Sequence, residues 1–375
     1  MKNIVICCDG TNNKLAGDLT NVVRIFQIAT KDSQQVVFYD PGVGTLASPD
    51  EFSGIGKRWS LVKGLAFGAG LDENVFDAYR YLMSVYDDGD RVFLFGFSRG
   101  AFTVRVLAGM LHGVGLLHEG SENLLPYLWQ HYLTIRIPPS TASQTEKDAA
   151  AKVDETTAVM RASFTRPCPI AFLGPWDTVG SVGMYNANQA FPFTFDNPSV
   201  AMVRHAVALD ERRAAFRSNV FKADGQKLPG SDRLRVMNVW FPGVHSDIGG
   251  GYPFKESGLA MIPFQWMVRE AKSAGLRVNG GELEELLAAC PPNPTATIHE
   301  SLKGAWKGLE YVPARRYNWK TGKTGWRYKP NKPRNLNVTQ SILHQSILDR
   351  KQAIAEYKPP NLPEGDLREQ FQIEQ

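Results

Sequence analysis

The chain has 375 residues, 43% of them hydrophobic and 21% charged, with 42 lysines and arginines against 38 aspartates and glutamates. That much apolar material at a net charge of only +4 excludes a disordered chain, and the near balance gives no ground for a nucleic-acid binder. Length would allow two or three domains, although α/β enzymes often run this long as one. No apolar run approaches the roughly 20 residues of a membrane-spanning helix. Met1-Lys2 opens a short apolar run that meets Asp9-Gly10, not a cleavage site, so no signal peptide is expected and synthesis is expected in the cytoplasm. Four cysteines with no CxxC pair support neither a disulfide framework nor a zinc ribbon.

Asn3 to Cys8 is rich in β-branched residues and stops at Asp9-Gly10-Thr11-Asn12, as a buried strand entering a tight loop does. Cys7 and Cys8, being adjacent, should face opposite sides of it. The spacing over 21–30 predicts a helix. Gln35 to Tyr39 reads as a second strand, followed by the turn Asp40-Pro41-Gly42-Val43-Gly44-Thr45 and a Gly-rich loop to about residue 60. Val75, Ala78, Tyr79, Leu82 and Val85 share one face of a helix over 71–86, Arg91 to Phe97 is an apolar run of strand length, and 99–111 is again helical. Helices are expected at 123–134 and 146–163, with Pro138-Pro139-Ser140-Thr141 between them. Further strands are expected at 168–173 and 234–241, and further helices at 258–274, 281–289 and about 341–355. Nearly continuous apolar strands alternating with helices predict an α/β fold: a mostly parallel sheet covered by helices on both faces.

The segment Gly96-Phe97-Ser98-Arg99-Gly100 is a G-x-S-x-G motif between a predicted buried strand and a predicted helix. In that setting the serine rides a turn too tight for side chains two residues either side, and Gly96 and Gly100 remove them. Ser98 then projects at the N-terminus of a helix, where amides and the helix dipole favour developing negative charge. Such a nucleophile needs a base and an acid to orient it, in the chain order serine, acid, histidine. Of the seven histidines, His112 and His118 end the helix after Ser98, His131 lies in a loose helical region, and His299 and His344 lie in the tail. His205 sits in an apolar segment and reads as a core or helix histidine. His245 alone directly follows a strong strand, in Pro242-Gly243-Val244-His245-Ser246-Asp247, and is the favoured base, with His344 next. Asp177, in Gly174-Pro175-Trp176-Asp177-Thr178, is the favoured acid. Asp210 and Asp247 compete, the latter lying only two residues from His245. Amides for an oxyanion hole are expected at Arg99 and, from the loop after the first strand, at Gly10 and Thr11.

Taken together, Cys8-Asp9-Gly10-Thr11-Asn12-Asn13, Tyr39-Asp40-Pro41-Gly42-Val43-Gly44-Thr45, Phe95-Gly96-Phe97-Ser98-Arg99-Gly100-Ala101, Gly174 to Gly180 and Pro242 to Tyr252 resemble one bacterial and fungal family. It is an α/β-hydrolase domain family that includes the first family of type VI secretion lipase effectors. The resemblance runs over about residues 1–360, with a tail block at Leu343-His344-Gln345-Ser346 and Tyr357 to Pro363. It implies an α/β-hydrolase-like fold over 1–375, counted as a single domain, with cap or insert segments at about 115–165, 183–200 and 253–335. It implies cleavage of phospholipid acyl esters by Ser98, Asp177 and His245 without a cofactor or a metal. It also implies a secretion-system or immunity protein as partner and export that needs no signal peptide. Against that family the chain is short, and no large membrane-anchoring insert is expected in it.

Other motifs carry less. Gly42 to Ala47 matches G-x-G-x-x-A, but Pro41 precedes it and Ser48-Pro49 stands where a helix should start. Gly54-Ile55-Gly56-Lys57-Arg58 lacks the leading glycine and the Ser/Thr of a P-loop, and no HExxH occurs. Asp9 and Asp247 with nearby asparagines could hold a divalent cation, though turn aspartates explain them as well. Basic and aromatic residues interleave from Arg315 to Lys329, as in a hairpin packed on the core or a surface that meets nucleic acid or anionic lipid. The alternative to an esterase is a non-catalytic binding or toxin-partner module that uses this basic aromatic region.

Overall fold

Among the described residues, eight parallel strands carry the fold: β1 (Asn3–Cys8), β2 (Gln35–Asp40), β3 (Arg91–Phe97), β4 (Ile170–Trp176), β5 (Val203–Ala208), β6 (Val236–Phe241), β7 (Ile342–His344) and β8 (Gln372–Glu374). Their order is β8-β7-β6-β5-β4-β3-β1-β2, and every neighbouring pair runs parallel. The computed structural model describes residues 1–10, 19–42, 70–138, 142–179, 191–311, 314–318, 323–327, 330–338 and 341–375. Thr11, Asn12 and Asn13, the glycine-rich stretch from 43 to 69 and the Gly180 end of its motif therefore lie outside the described residues. So do the first part of the 183–200 insert and parts of the basic aromatic region.

β1, β5 and β6 are buried along their whole length. A strand covered on both faces has no polar side to expose, which is why these segments read as unbroken apolar runs. Cys7 and Cys8 do face opposite ways: Cys8 joins the core under one face, with helices α2 (Leu71–Val85) and α3 (Arg99–Val114). Cys7 joins the core under the other, with α1 (Asn21–Ile28) and α7 (Gly258–Ser273). The helix over 258–273, inside the stretch expected to be an insert, thus packs on the sheet. The helices α4 (Leu125–Tyr132) and α5 (Gln144–Phe164) belong to the 115–165 segment. α5 starts on a capping box made by Ser143 and Glu146 and buries only Ala150 fully.

The strand expected at 168–173 instead begins at Ile170 and runs to Trp176. Pro175, paired with Gly96 across the β3–β4 ladder, hides this continuation, because proline is normally kept out of central strands. Two β4–β5 pairs, Leu173 with Val203 and Trp176 with Ala206, sit on either side of it, where no N–H is available. The apolar segment around His205, which by sequence suits core or helix, is strand β5. The helix expected over 341–355 is split: Ile342–His344 is strand, and the helix is Gln345–Ala353.

Strand order reverses between β1 and β3. Loops leaving the carboxyl ends of strands at such a reversal diverge and leave a crevice. The turns after β3, β4 and β6 end on that edge of the sheet.

Candidate active site

β3 ends at Phe97 and α3 begins at Arg99, so Ser98 alone makes the turn. Its backbone has φ 58° and ψ −117°, a conformation that costs a non-glycine residue about 1–3 kcal/mol. The sheet holds it there: the Ser98 N–H donates to the Trp176 carbonyl on β4 at 3.2 Å. A Cβ on Gly96 would lie 2.5 Å from the Gly100 carbonyl oxygen, and one on Gly100 would lie 2.1 Å from that of Cys8. Gly96 therefore lets the turn close, and Gly100 lets the start of α3 press against the end of β1.

Asp177 leaves β4 with φ 38°, a second strained residue on the same rim. Its buried carboxylate collects four donors. Oδ1 accepts the Ala208 N–H at 2.9 Å and Arg334 Nη1; Oδ2 accepts Arg334 Nη2 at 2.9 Å and His245 Nδ1 at 2.6 Å. Burial by itself would raise this carboxyl, but the Arg334 guanidinium and His245 overcome it and hold it far below the usual carboxylate range.

His245 starts the short helix α6 (His245–Gly249), just beyond β6. Its Nε2 lies 2.9 Å from Ser98 Oγ. With Nδ1–H donated to Asp177, Nε2 is left as the acceptor for the serine hydroxyl. Phe97 and Phe216 flank the ring at centroid distances of 4.6 and 4.7 Å. Burial holds the imidazole below its ordinary value, against the pull of Asp177. The His245 N–H donates to Glu211 Oε2 at 3.2 Å, and the Glu211 carboxylate is paired with Arg213. Although burial would raise Glu211, Arg213 draws it down to about 2. Ser98, His245 and Asp177 thus form one hydrogen-bonded chain, with a neutral imidazole between a hydroxyl and an ionised carboxylate. Such a chain can take a proton from the serine as its oxygen attacks an electrophile.

The other candidates lie elsewhere. His205 is buried in β5, accepts the Thr178 N–H at 3.2 Å and meets Asn238 at 3.1 Å; burial pushes it down to about 3. His112 packs on Phe193, His131 meets Thr157, and His344 stacks on Phe241. Asp247 pairs with His299 at 2.6 Å, not with His245. Asp210 accepts from the Gly243 N–H and the Tyr357 hydroxyl, and burial raises it to about 6. The Asp9 carboxylate accepts from Gly10 N–H, Thr20 Oγ1 and Tyr39 OH. The Gly10 amide therefore faces its own neighbour's carboxylate at 2.7 Å. Arg99 opens α3 directly after Ser98, as its oxyanion assignment requires. Among the described residues, no group of three His, Cys, Asp or Glu side chains converges as a metal site would.

Two contributors carried no usable signal in the sequence. Arg334 comes from the Pro-rich basic tail, 157 residues beyond Asp177, and looks like any other cation there. Glu211 follows β5, and its strand-end position becomes visible only once β5 is recognised.

A parallel sheet reversing between β1 and β3, with a serine on the turn into the helix after β3, defines an α/β-hydrolase-like protein. The chain belongs to the family of type VI secretion phospholipase effectors described as the Tle1-like catalytic domain, whose profile it matches over residues 2–270. The uncharacterized protein YEL023C of Saccharomyces cerevisiae is 33% identical over 234 residues, 59% of this chain and 33% of that protein. The chain thus spans about a third of the length of this curated relative, and family membership does not imply a bacterial source. An uncharacterized protein from Pseudomonas aeruginosa, known from a crystal structure, aligns at 19% identity and a TM-score of 0.42, over 83% of this chain and 51% of that one. The Tle1 effector bound to the VgrG spike of the type 6 secretion system aligns at 18% identity and a TM-score of 0.35, over 67% and 51%. Among the described residues no helix is long and apolar enough to cross a membrane.

Proposed function

We propose that the chain is a serine ester hydrolase that cleaves phospholipid acyl esters through an acyl-enzyme. Ser98 Oγ attacks the acyl carbonyl while His245 Nε2 takes its proton. The ester C–O bond then breaks, and His245 returns that proton to the departing alcohol oxygen. Water, deprotonated by the same nitrogen, attacks the acyl-serine; the acyl–Oγ bond breaks, His245 passes the proton to Ser98 Oγ, and the fatty acid leaves. Asp177 holds the imidazole tautomer and stabilises the imidazolium formed in each half-reaction. The Arg99 amide, with a second donor from the Gly10–Thr11 loop, would bind the oxyanion.

The observation that carries this reading is the unbroken hydrogen-bond chain from Ser98 Oγ through both nitrogens of His245 to Asp177. Phe97 and Phe216 add an apolar wall that keeps water from the ring. Family membership supports the phospholipid class of substrate and export by a type VI machine, with a spike or immunity protein as partner. Peripheral contact with anionic lipid through the basic tail fits the same role.

The test is a panel of lipid classes and short acyl esters offered to the wild type and to Ser98→Ala. A fluorophosphonate should label the wild type at Ser98, and the variant should lose both turnover and labelling. Folded wild-type protein that neither hydrolyses an ester nor takes the label would instead favour the non-catalytic binding module.

A further inference from the structure

We infer that Arg334 is a positioning residue of this site: its guanidinium clamps Asp177 and offsets the carboxylate's effect on His245. The inference rests on the proposed serine-hydrolase reading and names a fourth member of the group.

The geometry is that of a built contact. Arg334 and Asp177 are 2% and 1% exposed. The guanidinium meets Asp177 with both terminal nitrogens, one on each carboxylate oxygen. Nη1 also donates to the Ala208 carbonyl at 3.0 Å, while Nε and Nη2 donate to the Phe216 carbonyl. Its five N–H groups thus meet five acceptor contacts, and the fork cannot rotate without losing some of them. The same contacts tie the tail to the end of β5 and to the segment that carries Phe216 against His245. Asn361 fixes Arg334 in turn, donating to its carbonyl and to that of Leu209.

The chemistry is a matter of charge. Asp177 pulls the His245 ring toward the imidazolium, against the burial that keeps it neutral, so a cation fixed on the same carboxylate acts on the side of the neutral base. Arg334 Nη2 and His245 Nδ1 touch the same Oδ2, at 2.9 and 2.6 Å, so they stand no more than about 5.5 Å apart. A fixed cation at that range opposes protonation of the ring while keeping the carboxylate ionised. The other charged groups facing His245 are Glu211 and Arg213 from the segment after β5; they pair with each other, Arg213 opposing protonation of the ring and Glu211 favouring it.

Three variants test this: Arg334→Met removes charge and fork, Arg334→Gln removes the charge, and Arg334→Lys keeps the charge but not the fork. Each is assayed for kcat and KM on a p-nitrophenyl acyl ester across pH. In a Ser98→Ala background, each is also followed by NMR titration of the His245 ring. The neutral variants should lose at least tenfold in kcat with KM little changed, and the His245 midpoint should move up by roughly one pH unit or more. Lysine should hold the midpoint within a few tenths and restore part of kcat. A folded neutral variant with wild-type kcat and an unmoved midpoint overturns the inference. If neither neutral variant folds, Arg334→Lys decides: full wild-type kcat overturns it, and a reduced kcat with the midpoint held supports it. The titration needs no turnover, so it still reads the charge coupling if Ser98→Ala shows the serine reading itself to be wrong.

Discussion

Replacing Asp177 with asparagine changes one oxygen into an NH2 group and removes one charge, and the hydrogen bonds around this side chain dictate the outcome. Both carboxylate oxygens are used only as acceptors, from Ala208, Arg334 and His245. An amide has one acceptor oxygen, so one side must set donor against donor. With NH2 at the Oδ2 position, His245 can remain bonded only by turning its Nδ1 lone pair inward, which moves the proton to Nε2. Ser98 then loses its base. With NH2 at the Oδ1 position, the Ala208 N–H and Arg334 Nη1 lose their acceptor. The expected fall in kcat is about a thousand- to ten-thousand-fold, the scale for a wrong imidazole tautomer. A unit charge pair about 4 Å apart is worth about 4 kcal/mol at an effective dielectric of 20. That agrees with the about 3–5 kcal/mol lost when one partner of a buried pair is removed. At about 2 cal/mol/K of unfolding entropy per residue, Tm should drop by about 4–6 °C. Ester kinetics and a thermal melt measure both effects. A variant that keeps a tenth of wild-type kcat, or melts at the wild-type temperature, refutes the reasoning.

Activity should also depend on pH in one direction. Because burial lowers His245 below 6.5, the imidazole stays neutral to a lower pH than a free one, so kcat/KM should be flat through neutrality. It should fall on acidification with a midpoint below 6.5; a midpoint above 7 would contradict the neutral base. Gly100→Ala puts a methyl against the Cys8 carbonyl, where only backbone movement can relieve it. Fluorophosphonate labelling should fall at least tenfold, and labelling at the wild-type rate would count against the close approach of α3 and β1. Far from the site, Arg204 and Glu270 form a fully buried pair at 2.6 Å. Glu270→Gln should cost about 3–5 kcal/mol of stability while the folded fraction keeps the wild-type labelling rate; an unchanged melt would contradict this.

Much of the architecture was legible because the parallel strands are buried on both faces and so appear as continuous apolar runs. Ser98 was legible for a different reason: a one-residue strand-to-helix turn demands glycines at fixed positions, and both are present. Asp177 and His245 stood out through their place after strands and lie within hydrogen-bond reach of Ser98's chain of contacts. What escaped did so for physical reasons. Pro175 conceals the continuation of β4, since proline in a central strand contradicts local preference. His205 made β5 ambiguous, because the partners that satisfy it, Thr178 and Asn238, come from distant segments. β7 and β8 have three residues each, too few to show a period. Arg334 owes its role to a contact across 157 residues, which no local pattern encodes.

That long-range contact has a consequence for biosynthesis. Ser98, Asp177 and His245 are all made before Arg334. At about 5–20 residues per second, the interval from His245 to Arg334 is on the order of ten seconds. Throughout it, a nascent chain has Ser98, Asp177 and His245 but no counter-charge from Arg334 for the carboxylate. β7 and β8, which extend the sheet beside β6, come later still. The order of synthesis therefore supplies the cation that clamps Asp177 only well after the residues it acts on, so the hydrogen-bonded group stays incomplete until the segment around Arg334 has been made and folded back.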